Sequence, residues 1–179
     1  MKGGGRLSFS NDVKNELSRL ETNEVCCDKA EVLGVLRMSG AIVIRGMNIG
    51  IHFSTENAAL ARRVLQILKN NYQVQTEVVI TRSRRLKKNN RYQVRVLPAP
   101  QVSIAMNELQ LLSMESDLKN PLLNKQCCKR AFLRGAFLGG GSISRPSSDY
   151  HLEMVTGNED FARSIIKVMH TFSMKAKLT

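Results

Sequence analysis

An internal repeat limits what this chain can fold into more than any other feature of its sequence. Shifting the chain by 101 residues aligns it with itself without a gap. Over positions 26 to 73 the two copies share ten identities, where average composition would give roughly three. The matches include adjacent cysteines, Cys26-Cys27 and Cys127-Cys128, and two glycines in each copy. A period this long indicates a duplicated structural unit rather than a solenoid, whose repeats are shorter.

The first copy has the pattern helix, hairpin, helix, hairpin, helix. Asp28, three residues before Glu31, predicts the cap of a helix that runs to about Ser39. The other predicted elements are a hairpin over 42–53, a helix capped by Thr55, a hairpin over 74–97 that turns at Asn89-Asn90, and a helix over 101–114.

The second copy repeats helix, hairpin and helix, and the offset predicts that it continues beyond Thr179 in a longer natural protein. A short helix capped by Ser10 is predicted ahead of the first copy. We therefore expect four segments. They are a leader with an N-terminal helix (1–27), a first repeat (28–114), a linker (115–126) and an incomplete second repeat (127–179).

Each copy has two glycines six residues apart near the end of its first helix: Gly34 and Gly40, then Gly135 and Gly141. A glycine inside a helix costs about 1 kcal/mol relative to alanine, so Gly34 and Gly135 need a compensating role. Close packing of the two helices at a pseudo-twofold axis is such a role. Gly40 and Gly141 would then let the chain leave each helix and enter a strand.

This arrangement resembles the LAGLIDADG fold of homing endonucleases, which implies an α+β structure of duplicated αββαββα units with antiparallel saddle sheets. The paired motif helices form the interface in that family, and the saddle lies over the DNA major groove. The position before the last motif glycine is the acid that holds the catalytic metal; here it is Ser39 in one copy and Gly140 in the other. Because such cations are held by carboxylates, we predict that the chain is not an enzyme and uses no metal or other cofactor.

Three further features are similar to the WhiA family of bacterial regulators, and the resemblance runs from about Phe9 to Thr179. They are the Cys-Cys entry to each motif helix, the Thr-x-Asn start of the following helix and the Arg-Leu-Lys-Lys-Asn-Asn hairpin. The resemblance implies a DNA-binding transcription regulator connected with sporulation, cell division or chromosome segregation, located in the cytoplasm at the nucleoid. Members of the family carry a C-terminal helix-turn-helix domain, which this sequence does not include.

The formal net charge of +12 predicts a polyanionic partner, and residues 74–97 hold half of that excess. A two-residue turn at Asn89-Asn90 would crowd like charges across the hairpin, which favours an external polyanion. Double-stranded DNA fits, because its major groove admits a two-stranded ribbon. One predicted face carries Arg82, Arg84, Lys88, Arg91 and Arg95, and the other carries Arg85 and Lys87 with Tyr92 and Val94.

Other roles for the basic residues stay open. The hairpin charges could protect a solvated sheet edge from aggregation. Arg62, Arg63 and Arg163, on helices, are either additional phosphate contacts or plain surface charges.

The four cysteines are expected to be reduced thiols in a cytoplasmic protein, because no secretion signal is recognisable. Four thiolates could close a zinc tetrahedron, but adjacent cysteines chelate awkwardly. We therefore favour small buried apolar residues at helix starts over a metal site.

Two other functions stay open. The chain could be a protein–protein docking domain derived from a homing endonuclease, with DNA binding left to a C-terminal helix-turn-helix, because its second hairpin (142–155) is less basic. A residual nuclease would instead nick plasmid DNA with magnesium. A duplicated chain supplies its own second half, so we predict a monomer with an internal pseudo-dimer. Its predicted partners are double-stranded DNA and other division or transcription proteins; no apolar run suits a membrane.

Overall fold

The computed structural model of the chain describes residues 8–82, 89–112, 119–145, 147 and 149–179. The predicted α+β fold, with helix, hairpin and helix repeated in both copies, is confirmed. A 3-10 turn at Pro121–Leu123 precedes the second copy. The elements are α1 Phe9–Ser18, α2 Val25–Ser39, β1 Gly40–Arg45, β2 Asn48–Thr55, α3 Ala58–Tyr72, β3 Thr76–Arg82, β4 Asn90–Val96, α4 Pro100–Leu109, α5 Gln126–Gly140, β5 Gly141–Ile143, β6 Leu152–Met154 and α6 Glu159–His170.

Two of the predicted helix caps are wrong by two residues each. α1 is capped by Ser8 rather than Ser10. α3 is capped by Asn57, whose side-chain oxygen accepts a hydrogen bond from the Leu60 backbone N–H at 2.9 Å. Thr55 instead accepts a hydrogen bond from the Asn57 backbone N–H at 3.1 Å and so fixes the turn before the helix. Both caps still follow the general preference for short polar side chains at helix starts.

α2 also begins earlier than predicted, at Val25, and Asp28 lies in its first turn instead of capping it. α4 ends at Leu109, before the predicted end at Met114, which lies outside the described residues. Gln110 ends this helix in the left-handed region, at φ 52°. No helix in the described part of the chain is long and apolar enough to cross a membrane.

α2 and α5 pack side by side and run parallel, because equivalent positions of the two copies contact each other along both helices. A Cβ added at Gly34 would lie 2.3 Å from the backbone oxygen of Phe132. One added at Gly135 would lie 2.0 Å from the backbone oxygen of Glu31. The helices therefore meet backbone to backbone at these two glycines, and a side chain at either position would push them apart.

The first copy forms a four-stranded antiparallel sheet in the order β1-β2-β4-β3, and β5 and β6 form a separate two-stranded sheet. Gly40 and Gly141 are the first residues of β1 and β5 and follow directly on their helices. One face of the large sheet packs on the helices. Its buried side chains are Ile51, Phe53, Val94 and Val96, which join the core with residues of α3 and α4.

The predicted two-residue turn at Asn89-Asn90 is wrong, and so is the register that followed from it. Asn90 already belongs to β4, where it pairs with Arg82. Val78 lies opposite the buried Val94, whereas the predicted register would have placed Arg85 there. The observed register thus places an apolar side chain, and not a charged one, opposite the core residue Val94, although Val78 itself is 43% exposed at the sheet edge.

Candidate nucleic-acid interface

The face of the four-stranded sheet that points away from the helices is here called the open face. Side chains alternate between the two faces of a strand, so the pairing of β1 to β4 identifies which residues lie on it. The open face carries Ala41, Val43 and Arg45 on β1, Asn48, Gly50, His52 and Ser54 on β2, Arg91, Gln93 and Arg95 on β4, and Glu77, Val79 and Thr81 on β3.

Basic groups cross the middle of the open face. His52 lies directly opposite Arg95 in the pairing of β2 with β4. Partial burial lowers the pKa of His52, and the positive charges of Arg95 and Arg45 lower it further. Arg95 also donates a hydrogen bond from Nε to Gln93 Oε1 at 2.6 Å, which holds its guanidinium along the face. The result is a neutral imidazole among arginines, on a surface suited to an anion.

The structure separates the predicted DNA-binding residues. Arg91 and Arg95 lie on the open face, as expected from their spacing, but Arg82 lies on the other face, because it pairs with Asn90. The remaining four, Arg84, Arg85, Lys87 and Lys88, lie outside the described residues.

Arg45 and His52 belong to this face, although sequence reasoning missed them as candidates. Both lie on the first hairpin, whose strands the sequence does predict. Alternation along 49–53, with apolar Ile49, Ile51 and Phe53, already places His52 on the face away from the core. The signal is therefore present in the sequence, but the second hairpin, which carries far more charge, obscures it.

The two positions that match the nuclease acids lie at the C-terminal ends of the motif helices. Ser39 donates its hydroxyl to the Val35 carbonyl oxygen at 3.1 Å, within its own helix. A Cβ added at Gly140 would lie 2.6 Å from Cγ of Met38, so the Met38 side chain fills the space beside this glycine. Magnesium prefers oxygen ligands, and neither a thioether nor a hydroxyl that already donates to the backbone is a good substitute.

A buried ion-pair cluster lies between the two copies. Glu31 is 1% exposed and accepts hydrogen bonds from Arg63 Nε at 3.1 Å and from Arg134 Nε at 2.8 Å. Arg63 also donates from Nη2 to Asp28 at 2.8 Å. Burial alone would lower the pKa of Arg63, but its bonds and charge contacts with Glu31 and Asp28 outweigh burial and raise it. Arg63 therefore pairs with carboxylates in the interior, whereas Arg163 pairs with Glu159 on the surface.

Comparison with known protein families gives two successive matches. The model of the WhiA N-terminal LAGLIDADG-like domain matches residues 25–112, and the model of the WhiA LAGLIDADG-like domain matches residues 129–179. The two matches divide the chain between its repeats.

Curated relatives agree with this assignment. A probable cell division protein WhiA from Alkaliphilus metalliredigens is 38% identical over 180 residues, which cover 96% of this chain and 57% of the relative. The protein of the same name from Bacillus cytotoxicus is 40% identical over 176 residues, which cover 96% and 55%. The chain thus spans a little over half the length of these relatives.

Solved structures show the same fold. The N-terminal LAGLIDADG domain of WhiA superposes with a TM-score of 0.68 at 24% identity, over 96% of this chain and 78% of that one. Full-length WhiA from Thermatoga maritima gives 0.67 at 22% identity, over 93% and 51%. The homing endonuclease I-WcaI, solved bound to its DNA recognition sequence, gives 0.54 at 13% identity, over 93% and 76%.

Proposed function

Because the chain belongs to the WhiA family, we propose that it is a non-catalytic DNA-binding unit of a bacterial protein that acts in cell division and regulates transcription. Duplex DNA lies along the open face and is held mainly through its phosphates. The observation that carries the proposal is the placement of Arg45, His52, Arg91 and Arg95 on the open face of the sheet, the face that does not pack on the helices.

Charge and shape support this placement. The open face has three arginines against one acid, Glu77, and the chain as a whole has a net charge of +12. Arginine and lysine supply most protein contacts to DNA phosphates, and arginine also reads guanine edges in the major groove. The similar fold of the endonuclease, solved with its DNA recognition sequence, supports the sheet as the binding surface. Such a protein would be found at the nucleoid.

The non-catalytic part of the proposal rests on the ends of the motif helices. Ser39 and Gly140 replace the two acids, and Met38 packs beside the glycine. Phosphodiester cleavage through bound cations needs carboxylates at such positions. Purified protein with magnesium should leave supercoiled plasmid intact; nicking that EDTA abolishes would contradict this part.

The binding part is tested by fluorescence anisotropy with unrelated duplexes over a series of salt concentrations. The double variant Arg91→Ala, Arg95→Ala should bind more weakly, and the slope of log affinity against log salt should flatten by about 0.9 for each phosphate that is no longer neutralised. An unchanged slope would remove this face from the interface.

Two control variants accompany the measurement. Arg163→Ala removes one positive charge from a helix surface, where the arginine is 59% exposed and pairs with Glu159, and should change the slope little. Arg82→Ala removes a charge from the same hairpin on its other face, and so reports which face contacts DNA. If the unaltered protein binds no duplex at low salt, the protein–protein docking function is favoured instead.

A further inference from the structure

All four cysteines of the chain meet at one place in the fold. Cys26 and Cys27 lie in the first turn of α2, and Cys127 and Cys128 lie in the first turn of α5. Since the two helices run parallel, their N-terminal ends come together, and the four sulfur atoms all lie within 4.8 Å of one another. None of the four is in a disulfide.

We propose that these four thiols bind one thiophilic d10 cation of the zinc class, which joins the two repeats. Zinc–sulfur bonds of about 2.3 Å place the sulfurs of a tetrahedral site about 3.8 Å apart. The sulfurs need to move inward by about 1 Å at most, which small side-chain rotations supply.

The donor set selects the metal. Four sulfurs with no carboxylate suit soft or borderline cations and not magnesium or calcium, which take oxygen ligands. Among the described residues, the four cysteines form the one group of three or more potential ligands in reach of a common ion. This site is new relative to the nuclease pattern. It lies at the N-terminal ends of α2 and α5. Ser39 and Gly140, the positions that match the nuclease acids, lie at the C-terminal ends of the same two helices, about 20 Å away along 15 residues.

The adjacency of the two cysteines in each pair does not prevent metal binding in this fold. Adjacent cysteines cannot easily place both sulfurs on one ion when each pair stands alone. Here each pair faces the other across the helix contact, and the sulfurs of both pairs already converge. A vicinal pair on each of two packed helices can therefore bring its sulfurs to one ion, as cysteines spaced along a loop do in other zinc sites.

Charge and access also suit a cation. Four thiolates around a divalent ion leave two negative charges, and the positive ends of two helix dipoles lie beside them. Lys125 precedes α5 and adds a positive charge near Cys127. Cys127 is exposed and Cys26 half-buried, so an ion can enter from solvent, while Cys27 and Cys128 are buried.

Binding exchanges protons for metal. The cation forms four metal–sulfur bonds and displaces up to four protons to the buffer; no electron is transferred.

The test uses the whole chain, purified under reducing conditions with zinc alone as the probe. We expect one zinc per chain by elemental analysis, and cobalt in its place should give the visible spectrum of a tetrahedral thiolate centre. Zinc at about 100 times its dissociation constant should raise the Tm by about 5 to 10 °C, and EDTA should reverse the rise. Absence of stoichiometric zinc, or a cobalt spectrum without thiolate bands, would overturn the proposal.

Cys127→Ser serves as the principal variant because its exposed side chain is not needed for packing. It should keep the fold and weaken zinc binding by about tenfold or more. Unchanged binding in this variant would also overturn the proposal. Disulfide formation is the competing outcome: if reduced protein binds no zinc and air oxidation cross-links α2 to α5, the cluster is a redox pair and not a metal site.

Discussion

The two repeats share a helix–hairpin–helix unit but fill the space beside the motif helix with different chemistry. In the first repeat Glu31 of α2 faces Arg63 of α3, and both groups are largely buried. The matching positions of the second repeat are Phe132 and Ser164. There Phe132 packs edge-on against Phe161 of α6, with ring centroids 5.9 Å apart.

Each of these two clusters also receives an arginine from the other repeat. Arg134 of α5 donates to Glu31, and the guanidinium of Arg37 of α2 lies 5.2 Å from the centre of the Phe161 ring. Duplicated units can therefore diverge in chemistry while keeping one backbone contact, provided that the buried polar groups of both copies find partners within one copy or across the contact. The two repeats are alike in shape and complementary in side chains.

The largest change in stability is expected at the charged cluster of the first repeat. Glu31→Gln leaves two guanidinium groups near a neutral amide and should lower the free energy of unfolding by about 3 to 5 kcal/mol. Urea denaturation measures the change. Glu159→Gln is the matched control, since Glu159 is 64% exposed in its pair with Arg163; it should cost less than about 1 kcal/mol. Equal losses in the two variants would mean that burial of the first pair has no energetic weight.

The shared backbone contact is tested at the motif glycines. Gly135→Ala inserts a methyl group 2.0 Å from the Glu31 carbonyl oxygen and should lower the free energy of unfolding by about 1 to 3 kcal/mol, because α2 and α5 must separate. Gly157→Ala provides the control, as nothing lies within 4 Å of its added Cβ, and it should change stability by about 0.5 kcal/mol or less. A neutral Gly135→Ala would show that the helices separate without cost.

The smallest effect concerns the sheets. His52 on the first hairpin matches Glu153 on the second, so at this position only the first hairpin can gain a positive charge. Burial and two arginines lower the His52 pKa, and a nearby phosphate would raise it again. DNA binding then takes up a proton, so affinity should rise by about fivefold as pH falls from about 7.5 to 6. Anisotropy titrations measure this, and His52→Gln should remove the difference; a pH dependence that survives in His52→Gln would assign it to another group.

The lowered pKa of His52 has the opposite consequence for the stability of the protein without DNA. Because the folded pKa of His52 lies below its ordinary value of 6.5, the unfolded chain takes up the proton more readily. Stability is full above pH 6.5 and declines as pH falls toward the folded pKa. A fall in pH thus slightly lowers the stability of the fold while it strengthens DNA binding.

The sequence alone predicts the repeat, the motif helices and the first hairpin, because these depend on local spacing and on matched glycines. It does not predict the register of β3 and β4. The Asn89-Asn90 pair looks like a tight turn, yet β4 lies between two strands and faces the core with Val94 and Val96, and the observed register places the apolar Val78 rather than Arg85 opposite Val94. A rule based on the two strands of one hairpin takes no account of a third strand that pairs with one of them.

The candidate sites show the same limit. The basic open face is only partly visible in the sequence, since it combines Arg45 and His52 of one hairpin with Arg91 and Arg95 of another. The meeting of the four cysteines depends on the parallel packing of two helices 101 residues apart. Both arrangements are tertiary, and periodicity within one element carries no record of them.

The two arginines that cross between the repeats determine which copies can associate. If two first repeats from different chains came together, the place of Arg134 would be taken by Leu33, and Glu31 would lose one of its cationic partners. Two second repeats would likewise offer Leu138 where Arg37 lies over the ring of Phe161. Like-with-like assembly is therefore disfavoured, and any exchange between molecules must be reciprocal, first with second. The divergence of the copies thus favours the pairing of a first repeat with a second repeat.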